Sequence, residues 1–294
     1  MRQIGSWILA IHLGLLVLSH TAAAQGLERD LAYGPDPNQR LDLSVPAAKD
    51  FATVLFIHGG SLTSGDKRDE DYRNVCTPFP DAGIACANVN YRLAPTHPWP
   101  AQAEDIASAV AWVRKNIERR GGDPQKLFLL GHSSGATLVA LVGTDERYLA
   151  RQGLKTSDLR GVVPMGSIMW DEDLEQALAR HGRGPVEARF GRDADNRIYG
   201  SLDTYLDRWP IRHVRTGLPP FLFLIAESEQ EQPPVLKTDR KFVENSRALG
   251  NWAEYKVLPG KTHYSATRKL STPGDTVFAI VRDFVHQFSG ADRR

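Results

Sequence analysis

The run Gly131-His132-Ser133-Ser134-Gly135 sets a serine between two glycines at a spacing that suits nucleophilic chemistry. Such a string recurs by chance, so its setting matters more than its spelling. Here it follows the strand-like run 126–130, Lys-Leu-Phe-Leu-Leu, and precedes a helical stretch over 136–142, the strand–turn–helix context that the chemistry requires. At such an elbow the serine occupies a strained turn that exposes its hydroxyl, and the flanking glycines leave room for tight backbone and a closely packed helix. Ser133 is therefore the candidate nucleophile, and Ser134 a candidate to offer its backbone N–H to a developing oxyanion. The bland alternative is a strand, a turn and a helix with no chemistry at all.

A serine hydroxyl is barely ionised at neutral pH and needs a general base, which in this topology follows an acid that itself follows the serine. Four histidines come after Ser133: His181, His213, His263 and His286. Only His263 falls in a short loop after the last expected strand, in Pro259-Gly260-Lys261-Thr262-His263-Tyr264. His286 belongs to a C-terminal helix, where a surface or packing role fits, and His181 and His213 belong to an inserted segment. The acid should follow the preceding strand, so that its carboxylate can orient the imidazole and offset the imidazolium charge. Glu227, Glu229 and Glu231 stand there, with no aspartate at the start of that loop. The reach to an imidazole selects Glu229, with Glu231 as the alternative. Upstream, His58-Gly59-Gly60-Ser61 closes another strand, and its glycines let backbone N–H groups face a negative charge unobstructed. Gly60 and Ser61 are the candidate donors, completing an oxyanion hole with Ser134.

These residues need a frame that carries them to one edge. From about residue 40 onward, apolar strand-like runs alternate with helical stretches, which predicts an α/β fold with a mainly parallel central sheet and helices on both faces. Strands are expected over 53–57, 84–90, 126–130, 161–165, 220–226 and 253–258. Helices are expected over 69–77, 101–120, 235–249 and 276–288; the second carries Ile106, Ala109, Val110, Val113 and Ile117 at helical spacing before Gly121-Gly122. The stretch 166–214 breaks the rhythm with mixed charge and scattered aromatics, and reads as a small cap inserted into one domain. Trp170 and Tyr199 there read first as exposed or core aromatics, with lining of a pocket as the alternative.

The chain has 294 residues, 41% hydrophobic and 24% charged, with a net charge of +1, as suits a folded globular chain. Charge balance argues against nucleic acid or an anionic membrane surface as partner, because those call for clustered positive charge. At the start, Arg2, an apolar run over 8–18 and Ala22-Ala23-Ala24 read as a secretory signal peptide over 1–24, with a mature domain over 25–294 that is periplasmic or secreted. The apolar run is about half of the ~20 residues a spanning helix needs, so no stable membrane anchor is expected. Cys76 and Cys86 are the only cysteines. Export permits a disulfide between them, whereas a cytosolic chain would keep two buried thiols.

At these residues the chain resembles the α/β-hydrolase superfamily, in particular its carboxylesterase branch with hormone-sensitive-lipase-like, bacterial feruloyl-esterase-like and kynurenine-formamidase-like members. The resemblance covers roughly residues 38–288. It rests on His58-Gly59-Gly60, Gly65-Asp66-Lys67, Asn90-Tyr91-Arg92-Leu93-Ala94-Pro95, the Ser133 elbow and Gly260-Lys261-Thr262-His263. Ala226-Glu227-Ser228-Glu229 is similar to a Gly-x-x-Asp stretch of those branches, a register that favours Glu229. Ser61 stands where a third glycine is usual, and His132 and Ser134 stand where aspartate and alanine are usual. The resemblance implies a structural role for Tyr91 to Pro95 beside the oxyanion loop. It also implies hydrolysis of a small ester through a covalent acyl-enzyme, with no metal or organic cofactor. An arylformamidase-like or peptidase-like amide hydrolase, or a catalytically silent binding scaffold, are the competing expectations.

Overall fold

The computed structural model describes residues 26–166, 168–169, 171–192, 194–230, 235–272 and 274–290. The expected signal peptide, Trp170 and Glu231 lie outside the described residues. Among the described residues eight strands form one sheet: β1 (Gly26–Ala32), β2 (Arg40–Val45), β3 (Phe51–Ile57), β4 (Ala85–Val89), β5 (Gly122–His132), β6 (Leu159–Met165), β7 (Phe221–Ala226) and β8 (Ala253–Leu258). Their order across the sheet is β1-β2-β4-β3-β5-β6-β7-β8. The β1–β2 and β2–β4 pairs are antiparallel and all the others are parallel. This is the mainly parallel sheet expected from the alternation.

Ten α-helices complete the described fold: α1 (Ala101–Asn116), α2 (Ser134–Thr144), α3 (Glu146–Ala150), α4 (Glu172–His181), α5 (Arg183–Phe190), α6 (Ala194–Tyr199), α7 (Leu202–Asp207), α8 (Val235–Ala248), α9 (His263–Leu270) and α10 (Thr276–Ser289). β3, β4 and β7 are buried at every position, because parallel strands covered on both faces have no side that meets water. Alternation of side chains along the strands divides the apolar interior in two. Leu55, Ile57, Leu127 and Leu129 join a core with α1, α2 and the cap residues Tyr205 and Trp209. Val54, Phe56, Phe128 and Leu130 join Val281 and Phe284 of α10 on the other face. The α-helix expected over 101–120 ends at Asn116, and a 3-10 turn over Glu118–Arg120 finishes it before Gly121 at φ 91°.

Three elements differ from expectation. No helix forms over 69–77; the segment is a series of turns, such as Val75 N–H to Tyr72 C=O at 3.2 Å and Thr77 N–H to Asn74 C=O at 3.1 Å. The Asn88 side chain on β4 takes the Tyr72 carbonyl at 3.0 Å, and the disulfide between Cys76 and Cys86 holds the segment to the same strand. Tertiary partners thus claim backbone that a helix would need. The antiparallel pair β1–β2 extends the sheet where no strand was expected. Finally, His263 begins a helix rather than sitting in a plain loop, because the Thr262 side chain caps α9 by accepting from Ser265 N–H.

Strand order reverses between β3 and β5, since β4 lies on one side of β3 and β5 on the other. The crevice beyond the carboxyl ends of strands at such a switch point is where open α/β sheets place ligands. Ile57 pairs with Gly131, His132 with Met165, and Ala226 with Leu258, so the loops after β3, β5, β6, β7 and β8 emerge at one edge. Those loops carry Gly59, Ser133, Gly166, Glu229 and His263.

Candidate active site

Ser133 lies at φ 54°, ψ −128°, a left-handed conformation strained for a side chain with a Cβ. Its N–H donates to the Met165 carbonyl at 2.9 Å, and its own carbonyl accepts from Ala136 N–H at 2.8 Å, so the turn is pinned on both sides. The glycines are required by contact. A Cβ on Gly131 would lie 2.3 Å from the Gly135 carbonyl oxygen, and one on Gly135 would lie 2.3 Å from the Ile57 oxygen and 2.5 Å from the His58 oxygen. Backbone on backbone at these separations cannot relax by rotating a side chain.

Of the three glutamates after β7, the fold separates the roles. Glu229 is 7% exposed, and its Oε1 is 2.6 Å from His263 Nδ1 while its Oε2 accepts Ala226 N–H at 2.7 Å. Glu227 instead accepts Gly260 N–H at 2.8 Å and holds the turn after β8. With Nδ1–H given to the carboxylate, the basic nitrogen of a neutral His263 is Nε2. Gly166, at φ 66° just after β6, makes the pairing possible, since a Cβ there would stand 2.7 Å from Glu229 Oε1 and 3.1 Å from His263 Nδ1. The other histidines stand apart from this group. His181 lies on α4, His286 on α10, and His213 Nε2 donates to the Asp207 carbonyl at 2.6 Å.

After β3 the chain turns through three successive positive φ values, 119° at Gly60, 55° at Ser61 and 66° at Leu62. The Gly60 carbonyl closes the turn by accepting from the N–H groups of Thr63 and Ser64 at 3.1 and 3.0 Å. A Cβ on Gly59 would come within 2.7 Å of the Ser133 Cβ, so this loop lies directly against the elbow. Ser61, Ser133 and Ser134 line one cavity of about 270 Å³, together with Trp99, Tyr199 and Arg208. The Tyr91–Pro95 segment supports the loop from behind. The Tyr91 ring stacks on that of His58 at 4.4 Å, its hydroxyl donates to the His58 carbonyl at 3.0 Å, and Ala94 N–H donates to the Leu62 carbonyl at 2.9 Å.

Two titratable side chains of this neighbourhood were not singled out as site residues from sequence. His132 is fully buried, with Nε2 2.9 Å from the His263 carbonyl oxygen and Nδ1 3.1 Å from the Tyr72 hydroxyl. A carbonyl only accepts, so Nε2 carries the hydrogen and Nδ1 accepts from the tyrosine. Burial, reinforced by neighbouring His263, pushes the His132 imidazole down to about 3, so it is a neutral strut between the elbow and the His263 turn. Its position inside the serine motif was the available signal. Asp239, on α8, is also fully buried, and burial together with the Glu229 charge raises its carboxyl well above the usual range. Nothing in the sequence distinguishes it from other helix aspartates. Among the described residues no cluster of histidine, cysteine or carboxylates has the arrangement to hold a metal ion, and no helix is long and apolar enough to cross a membrane.

Known proteins share this architecture. Esterase LipC of Mycobacterium tuberculosis is 30% identical over 263 residues, covering 86% of this chain and 63% of LipC. The probable carboxylic ester hydrolase LipM of the same organism is 28% identical over 248 residues, 80% of this chain and 55% of LipM. The chain therefore spans about 55–63% of the length of these relatives. Esterase B of Lactobacillus rhamnosis superposes with a TM-score of 0.69 at 22% identity, over 90% of this chain and 86% of that one, a likeness of fold. The family model for BD-FAE matches residues 41–235, from β2 to the start of α8 and through every loop of the strand-end site except that of His263. This chain belongs to the BD-FAE family, within the carboxylesterase branch of the α/β-hydrolase superfamily.

Proposed function

We propose that this chain hydrolyses small carboxylic esters through a covalent acyl-enzyme. The observation that carries the reading is the Glu229–His263 pair at 2.6 Å, set at the same strand edge as a glycine-flanked serine in a strained turn. In this reading Ser133 Oγ attacks the ester carbonyl while His263 Nε2 takes its proton, and the Glu229 carboxylate holds the ring and offsets the imidazolium charge. The N–H groups of Gly60, Ser61 and Ser134 stabilise the oxyanion of the tetrahedral intermediate. The proton passes from His263 to the departing alcohol. Water then attacks the acyl group by the same route and frees Ser133. The names of LipC and LipM support ester cleavage over the amide alternative.

Ser133→Ala should lower p-nitrophenyl acetate turnover by at least about 10³-fold while leaving the circular dichroism spectrum and Tm unchanged. Retained turnover would falsify the assignment. Matched ester and amide substrates compared on the wild type decide between esterase and amidase. The silent-scaffold alternative requires that a fluorophosphonate probe leave Ser133 unlabelled.

We also propose that residues 1–24 direct export and that the mature chain works in the periplasm or outside the cell. The bond between Cys76 and Cys86 supports an oxidising compartment. N-terminal sequencing of the enzyme from a cell fractionation checks this, with uncleaved chain in the cytosol as the opposing result.

A further inference from the structure

The cavity beside Ser133 holds a positive charge for which ester cleavage itself has no use. Arg208, just after α7, lies over the Trp209 ring with its guanidinium carbon 3.6 Å from the ring centroid, and it lies 4.6 Å from the centroids of both Tyr199 and Tyr205. Aromatic faces attract a cation without neutralising it. Two other arginines of the cap are paired with carboxylates, Arg183 with Asp203 and Arg212 with Glu175. Among the described residues no carboxylate forms an ion pair with Arg208, and its Nε is buried with no hydrogen-bond partner. Asp195 lines the same cavity.

The position of this charge is informative. A ligand that fills a cavity of about 270 Å³ lined by both Ser133 and Arg208 meets the two together. A half-buried guanidinium with no carboxylate partner gains when an anion takes the place of water at its terminal N–H groups. Because the Trp209 ring covers its plane and Nε is buried, the terminal N–H groups are what this cavity-lining guanidinium can offer a ligand, and a pair of them matches a planar carboxylate.

We propose that Arg208 forms an anion subsite of the Ser133 cavity, so that the preferred esters carry a free carboxylate. This rests on the ester-hydrolase reading above, and it concerns substrate selection rather than bond cleavage.

The test uses two esters of equal acyl length, p-nitrophenyl hydrogen adipate and p-nitrophenyl hexanoate. Wild-type enzyme should favour the anionic ester in kcat/KM. Arg208→Gln should lower kcat/KM for it by about 10- to 100-fold, chiefly through KM, while hexanoate changes by less than about threefold. An equal loss on both esters, or no wild-type preference, overturns the subsite and leaves Arg208 as an aromatic clamp of the cap. Should Arg208→Gln fail to fold, inhibition of wild-type hexanoate turnover decides: adipate must inhibit at lower concentration than adipamide, and equal inhibition overturns the proposal. Calorimetric binding of adipate and adipamide to the Ser133→Ala protein needs no turnover. If wild type cleaves neither ester, the hydrolase reading fails, while preferential binding of adipate still upholds the anion subsite and equal binding removes it.

Discussion

The strand-end loops and the cap over 166–214 meet at one cavity but are built on different terms. At the strand ends, the side chains around His263 are tied by defined hydrogen bonds: Glu229 accepts from both His263 and the Ala226 backbone, and His132 spans Tyr72 and the His263 carbonyl. Glycines there are fixed by backbone contacts below 3 Å. In the cap, ion pairs such as Arg183 with Asp203 lie at the surface, where salt and water leave them little net effect. Its cavity-facing part is aromatic, with one arginine held among rings. A rigid buried edge suits chemistry that must be positioned to fractions of an ångström, whereas a surface-anchored cap can vary in shape without moving the reacting groups.

If this contrast holds, the largest effect comes from the smallest side chain at the edge. Gly135→Ala drives a methyl group into the Ile57 and His58 carbonyls, so a loss of more than about 4 kcal/mol is expected, read as absence of a cooperative transition in scanning calorimetry. A wild-type Tm would show that the elbow is looser than its contacts imply. Glu229→Gln should fold normally yet lower kcat by about 10²- to 10⁴-fold, since an amide neither fixes the Nδ1–H tautomer nor offsets an imidazolium. An effect confined to KM would break the assignment.

His132 sharpens the comparison through pH. Its folded-state proton affinity lies below that of the unfolded chain, whose value is near 6.5, so the unfolded chain binds the extra proton between about 6.5 and about 3. The stability from its neutral burial is thus complete above pH 6.5 and is lost as pH falls through that window. The Tm of wild type should decline with acid more steeply than that of His132→Asn, with a difference of up to about 5 kcal/mol accumulated by the acid end. Parallel curves would show that His132 is protonated in the folded state. The smallest effect belongs to the cap. Gly184, in the first turn of α5, has nothing beyond its chain neighbours within 4 Å of an added Cβ, but Pro185 follows it, so the propensity gain of Gly184→Ala is opposed by the pre-proline clash and stability should change by less than about 0.5 kcal/mol with unchanged kcat. Any loss of activity would tie α5 to the site more closely than its packing does.

Much of the frame was legible because buried parallel strands announce themselves as continuous apolar runs, and β3, β5 and β7 fall where such runs predict them. The same criterion passed over β2, whose Arg40–Val45 alternates half-buried and buried positions between polar and apolar residues. The segment 69–77 misled in the opposite direction, since its helical spacing carries no record of Asn88 and Cys86 waiting on a neighbouring strand. Ser133 and the His58-Gly59-Gly60 loop could be read from glycines, because close backbone approach leaves no other residue type room. Spacing beyond the strand favoured Glu229, but its roles and those of Glu227 are set by the way a 3-10 turn over Glu227–Glu229 aims the two side chains, one at His263 and one at the Gly260 N–H.

Local sequence determined the strand–turn–helix elbow, the order of serine, acid and histidine, and the alternation that makes a parallel sheet, because each depends on neighbouring residues and short-range sterics. The tertiary structure alone decided which carboxylate meets which imidazole, that His132 is a buried neutral strut, and that Arg208 stands among three rings in the Ser133 cavity. Those properties belong to distances and burial between residues far apart in the chain, and desolvation and pairing do not exist until the fold brings the groups together.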